Sequence, residues 1–223
     1  MALLTLTLLG PPQVTRADSM TVAFRSRKAL ALLVYLALEC RQKHSRDTLL
    51  GLLWPEDPEE SARNSLRVAL ANLRQTLGEP PAPYLLSSRS SVQFNGDSDH
   101  TLDVVAFGVL LAEHRAHRHT LGALCAECVT RLTEATALYR GDFLSGFALP
   151  DSTSFEEWAL IQREQLHQQM IAALDALAVS IVLQVRSGRP STWQVIQDVD
   201  DEPSPAAARA LSGTIDLGKR RAR

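Results

Sequence analysis

Residues 3–9 (LLTLTLL) and 21–24 (TVAF) are short runs rich in Leu, Thr and Val, punctuated by Gly10-Pro11-Pro12 and by Asp18-Ser19. Such runs between turn residues predict a small N-terminal sheet. From Arg25 the period becomes helical: Leu30, Leu33, Val34, Ala37 and Leu38 recur at three-and-four spacing. A polar break, 41–45, precedes a second helix over Ser45 to Trp54, with Ser45 as N-cap, Pro55 as stop and Leu49, Leu52 and Leu53 on the buried side. The third helix, 58–77, carries the clearest punctuation: Asp57 at the N-cap, Pro58 at the first helical position, Glu60 three residues after the cap and Gly78 past the end. Residues 84–95 then read as two strands around a Ser-Arg-Ser-Ser tip, a hairpin. A small sheet, three helices and a C-terminal hairpin predict an α+β winged helix over residues 1–97.

On the third helix Ala62, Leu66, Leu70, Leu73 and Leu77 form one apolar stripe. Arg63, Arg67 and Arg74 fall within about 40° of one another on an adjoining face. Asn64, Ser65, Asn72 and Gln75 extend that polar face. Taken alone, this is also what a solvated amphipathic helix presents. With a hairpin behind it, the helix has the setting of a reader of the major groove, and Arg89 at the hairpin tip has that of a contact to the adjacent backbone or minor groove.

From Asp103 to about residue 183 the pattern is helical throughout. Val104, Phe107, Leu110 and Leu111 make one stripe, and Cys128, Leu132, Ala135 and Leu138 a second that ends at Tyr139-Arg140-Gly141. A third helix is predicted from Ser154, with Ser154 and Glu157 as a capping box and Phe155, Trp158, Ile161, Leu166 and Met170 facing inward. Consecutive helices over 101–183 predict an all-α helical-repeat segment. Residues 184–223, with Gly, Pro, Ser, an acidic cluster and the basic residues Lys219, Arg220, Arg221 and Arg223, hold no sustained stripe and predict a disordered tail.

The N-terminal motifs carry a family resemblance. LTLLGPPQV, VAFRSRKALALLVYLAL, HSRDTLLGLLWPED, ARNSLRVALANLRQTLG and the YLL-to-VQFN hairpin resemble the OmpR/PhoB-type winged helix of SARP-type regulators, over roughly residues 3–95. LDVVAF, LYRGDFLSGFALPD and FEEWALIQREQL are similar to the bacterial transcriptional activator domain, a tetratricopeptide-like (TPR-like) domain that follows it in that family. The resemblance implies a DNA-binding transcription regulator, an activator by family default. The third helix would place Arg63, Asn64, Arg67 and Arg74 at double-stranded DNA, with Arg89 on the wing. It also implies that the loop with Pro55, Glu56 and Asp57 meets RNA polymerase, and that two copies pair as a homodimer on repeated sites. Helical repeats of this kind continue at a period of about 34 residues, whereas the resemblance here stops near residue 183. The expectation is a shortened C-terminal domain. Alternatives are a protein-interaction module with a structural winged helix, or a truncated regulator that binds DNA without activating.

Composition changes this picture little. The 45% hydrophobic content suits a soluble globular chain, and the longest uninterrupted apolar run, Ala29 to Leu38, is about half a membrane span. With no basic n-region at the N-terminus, the expected location is cytoplasmic, without export or a membrane anchor. The net charge of −2 gives no global sign of nucleic acid, and eleven Lys/Arg stand against ten Asp/Glu in residues 1–100. The placement of the arginines, and not their sum, carries the argument.

No phosphate-binding glycine loop or nucleophile arrangement occurs, so no enzymatic activity is expected. One cluster could carry metal chemistry: His114, His117 and His119, then Cys125 and Cys128 in a CxxC. His117, His119, Cys125 and Cys128 are the chosen candidate ligands for a structural zinc. The plainer explanation is a pair of small apolar cysteines and histidines that favour a helix C-terminus.

Overall fold

The computed structural model describes residues 4–16, 21–78, 83–117 and 124–186. Of the tail expected over 184–223, residues 184–186 are instead helical, and 187–223 lie outside the described residues.

Alternation builds the first sheet. In β1 (Leu4–Thr7) Leu4 and Leu6 are buried while Thr5 and Thr7 are half-buried, the period of two expected of a strand with one face in the core. β1 pairs antiparallel with β2 (Gln13–Arg16), Leu6 opposite Val14. Its partner is therefore 13–16 and not 21–24; the latter adds a single bridge, Thr21 to Thr15, and the Val22 N–H donates to the Val14 carbonyl at 2.8 Å.

Three helices follow. α1 (Arg27–Leu38) is apolar nearly all round and runs through the middle of the fold, with Ala29, Ala31, Leu32, Leu33, Val34, Leu36 and Ala37 buried. α2 (Arg46–Leu53) starts as expected, the Ser45 side chain accepting the Thr48 N–H at 3.0 Å. α3 (Glu59–Leu77) buries Ala62, Leu66, Leu70, Leu73 and Leu77 as predicted. Its start differs from expectation: Pro58 is the N-cap, its carbonyl accepting the Ala62 N–H at 2.9 Å, and no side chain caps the helix. Asp57 instead closes a turn onto the Trp54 carbonyl at 3.3 Å.

The hairpin is β4 (Leu85–Ser87) with β5 (Ser91–Phe94), Leu85 opposite Phe94. Two short strands absent from the sequence-based expectation complete the sheets. β3 (His44–Ser45) pairs with β5 on the side away from β4, and β6 (His100–Leu102) lies parallel to β1. The result is the expected winged helix.

The helical part consists of α4 (Asp103–Ala116), α5 (Ala126–Leu138) and α6 (Thr153–Arg186). α6 starts two residues earlier than the Ser154/Glu157 box would place it: the Ser152 carbonyl takes the first amide bonds, from Phe155 and Glu156. Phe155, Ala159, Leu166 and Ala173 of α6 are buried, but Ile161 is 56% exposed, contrary to expectation. Leu160, Ile171, Leu174, Val179 and Val182 are also exposed. By length and composition alone, residues Thr153–Leu183 of α6 are long and apolar enough to cross a membrane.

The helical part is joined to the winged helix along several lines. The Ser152 hydroxyl, fully buried, donates to the Leu53 carbonyl at 2.9 Å. Trp158 donates its indole N–H to Glu39 at 3.2 Å and meets the Tyr35 ring edge-on at 5.1 Å. Lys28 pairs with Asp151 at 2.8 Å. The segment around Phe143 runs against residues 8–10, with Arg140 N–H donating to Leu9 and Leu144 N–H to Leu8. Gly10, at φ +127°, permits that approach: a Cβ there would stand 3.4 Å from Cβ of Arg140 in a backbone conformation that L side chains rarely adopt.

Candidate nucleic-acid interface

The outer face of α3 is set by helical periodicity. With Leu66, Leu70, Leu73 and Leu77 inward, Arg63, Asn64, Arg67, Val68, Ala71, Arg74 and Gln75 are left exposed. All four expected residues on this helix are therefore on its open side. Val68, 47% exposed, was missed by sequence reasoning, although its helical phase among polar residues would have revealed it. An outward aliphatic group on such a face suits contact with a thymine methyl.

The hairpin is fastened to this helix. Arg74 donates to the Ser87 hydroxyl, and Arg46, at the start of α2, donates to the Ser88 carbonyl through Nε at 3.3 Å and Nη2 at 3.0 Å. The Arg46 N–H also donates to the Ser90 carbonyl at 2.9 Å. The tip is a serine turn: the Ser88 hydroxyl accepts the Ser90 N–H at 3.2 Å and the Ser91 N–H at 3.0 Å. This leaves Arg89 exposed at the apex. Arg46, Arg67, Arg74 and Arg89 thus belong to elements bound to one another, from helix to wing tip. Arg46 was not among the expected residues because its link to the tip spans 42 positions.

The arginines are not equivalent. Arg67 donates to the Asn64 side chain at 2.7 Å, a neutral partner that leaves its charge uncompensated. Arg63 is paired with Glu59 at 2.6 Å and lies 3.4 Å from Asp47. All three side chains are more than half exposed, so this pairing is worth only about 0–1 kcal/mol and can open. Pro55, Glu56 and Asp57 form an exposed turn between α2 and α3.

The candidate metal ligands belong to other elements, α4 and α5. His117, at the end of α4, places Nδ1 3.2 Å from Cys128 Sγ and 3.3 Å from Cys125 Sγ. His119 lies outside the described residues.

Residues 22–91 match the family model for the C-terminal domain of transcriptional regulatory proteins. No curated protein matches the sequence significantly. Among solved structures, the chain is similar to Mycobacterium tuberculosis EmbR, solved in complex with low affinity phosphopeptide, with a TM-score of 0.55 and 22% identity. The alignment covers 95% of this chain and 64% of that one, so the chain spans less than two thirds of the structure it resembles. At this identity the likeness is one of fold, including the helical part. The three helices, β3 and most of the hairpin fall within the matched residues, whereas β1, β2 and β6 lie outside them, so over 22–91 the chain is similar to the C-terminal domain of transcriptional regulatory proteins.

Proposed function

We propose that this chain binds double-stranded DNA and regulates transcription, with α3 entering the major groove and the 84–95 hairpin set against the adjacent backbone or minor groove. The observation that carries this reading is the binding of the wing to α3 through Arg74 and to α2 through Arg46, with Arg67 and Arg89 exposed. A major groove about 12 Å wide admits one helix, and guanidinium groups supply both phosphate contacts and bidentate guanine contacts. Asn64 and Gln75 add groups suited to adenine, and Val68 one suited to thymine.

In this reading the protein is a cytoplasmic activator of the SARP type and not an enzyme. Its helical part corresponds to the bacterial transcriptional activator domain, and the exposed Pro55-Glu56-Asp57 turn is the surface offered to RNA polymerase. A single module reads few bases, so two copies act side by side on repeated sites. The deciding experiment is selection of genomic fragments by the purified full chain at two salt concentrations, wild type beside R67A. A short shared motif, weakened by salt and lost in R67A, is the expected result. Recovery of the same motif by R67A at undiminished yield would take Arg67 out of the interface, and recovery of none by wild type would overturn the DNA-binding reading.

A further inference from the structure

The ends of α4 and α5 bring three metal-ligating side chains to one point. Cys125 is the N-cap of α5, yet its side chain makes no capping bond; it lies 3.3 Å from His117 Nδ1. Cys128, three residues on and fully buried, lies 3.2 Å from the same nitrogen. The imidazole nitrogen faces both sulfurs, and Cys128 also interacts with Cys125 and Arg131, so the three side chains form one compact group. The three ligand atoms lie within 4.8 Å of one another, and neither cysteine is in a disulfide.

Zinc would account for the convergence. With Zn–S about 2.3 Å and Zn–N about 2.0–2.1 Å, tetrahedral ligand atoms stand roughly 3.5–3.8 Å apart, a few tenths of an ångström beyond the observed nitrogen–sulfur separations. Cysteines three apart at a helix start present both sulfurs on one side. Arg131, whose guanidinium interacts with Cys128, is held by Glu113 at 3.1 Å and Glu127 at 2.5 Å, forming a charged outer shell on the sulfur side.

We propose that His117, Cys125 and Cys128 bind a zinc ion that pins the C-terminal end of α4 to the N-terminal end of α5. Two thiolates and a neutral imidazole balance the dication, and each thiol releases its proton to solvent on binding. The fourth position belongs to a water molecule or another donor. The ion's role is to fix the helical hairpin, remote in sequence from the α3 face, so this inference stands independently of DNA binding.

The test is titration of the metal-stripped, reduced full chain with Co2+ and then Zn2+. One Co2+ per chain is expected, with a thiolate-to-cobalt absorption band that Zn2+ abolishes by displacement. Zn2+ should also shield two of the three thiols from a thiol reagent, leaving Cys40 reactive. Because His117 is exposed and Cys125 only half-buried, H117A and C125S should keep the wild-type far-UV circular dichroism. Each should lose at least about 100-fold in affinity, since changing mere outer-shell partners already costs about 10–100-fold. Absence of the thiolate band in wild type, or its persistence in both variants, would overturn the site. So would isolation of the chain from cytoplasm chiefly as a Cys125–Cys128 disulfide, which would make the pair a redox couple.

Discussion

The carboxylate of Asp103, at the first position of α4, accepts the backbone N–H of Leu8, 95 residues earlier, at 2.8 Å. It also accepts from Leu9 at 2.9 Å and Val104 at 2.8 Å, with Arg140 at 3.5 Å. Burial pushes this carboxyl up, while the three amides and the Arg140 guanidinium draw it down. One side chain thus closes the end of β1 and opens the helical part.

Replacing Asp103 with Ala leaves the Leu8 and Leu9 amides buried without an acceptor, at an expected cost of about 2–4 kcal/mol. D103N should recover little of this, because an amide nitrogen facing those donors adds repulsion. Urea unfolding should show a lower midpoint with an unchanged slope. A D103N protein as stable as wild type would show that the carboxylate does not serve as the acceptor.

The buried hydroxyl of Ser152 joins the two parts by donating to the Leu53 carbonyl. S152A is expected to cost about 1–2 kcal/mol, combining a lost hydrogen bond with an unsatisfied carbonyl. Since both parts share contacts at Tyr35, Trp158, Lys28 and Asp151, circular dichroism and tryptophan fluorescence should still report one transition. Two separated transitions in wild type would instead indicate independent units.

His100 of β6 gives the fold a pH dependence. Burial lowers its imidazole below the usual histidine value, partly offset by its bond to the Ser98 carbonyl at 2.8 Å and by Asp99. Nδ1 donates to that carbonyl and therefore keeps its proton in the neutral ring, which stands edge-on to Phe94 at 4.8 Å. The unfolded chain takes up the added proton first. The contribution is thus full above about pH 6.5, declines as the pH falls toward the lowered folded value, and levels off below it. H100Q should flatten this part of the stability profile, measured as the urea midpoint between pH 7.5 and 5.

What was legible in the sequence was local. Ser45 capped α2 as its position suggested, the leucine stripe of α3 faced inward, and the hairpin turned at its serine-rich tip. What was not legible depended on partners distant along the chain. β3 is two residues long and exists only because β5 lies beside it. The acid at position 103 looked like an ordinary helix start, and nothing near it in sequence announces amides 95 positions away. The helical period as read from sequence points Ile161 inward, but the buried stripe of α6 runs through Phe155, Ala159, Leu166 and Ala173, and Ile161 falls off it.

On α3 the same logic separates arginines that the sequence treated alike. Arg63 faces Glu59 and Asp47, whereas Arg67 faces a neutral amide. Losing Arg67 should weaken binding to a selected DNA fragment by about 10-fold or more, as removal of one good guanine contact would. If its partner is a phosphate, the slope of log affinity against log salt should fall by about 0.9 instead, with a nearly uniform loss across sequences. R63A should cost less, because two carboxylates must first release that guanidinium. E59Q should therefore strengthen binding, by freeing Arg63 and removing a negative charge near the phosphates. Fluorescence anisotropy with one labelled duplex at four salt concentrations orders the three variants; an R63A loss exceeding that of R67A would mean that Arg63 leaves its acids on binding and is the principal contact.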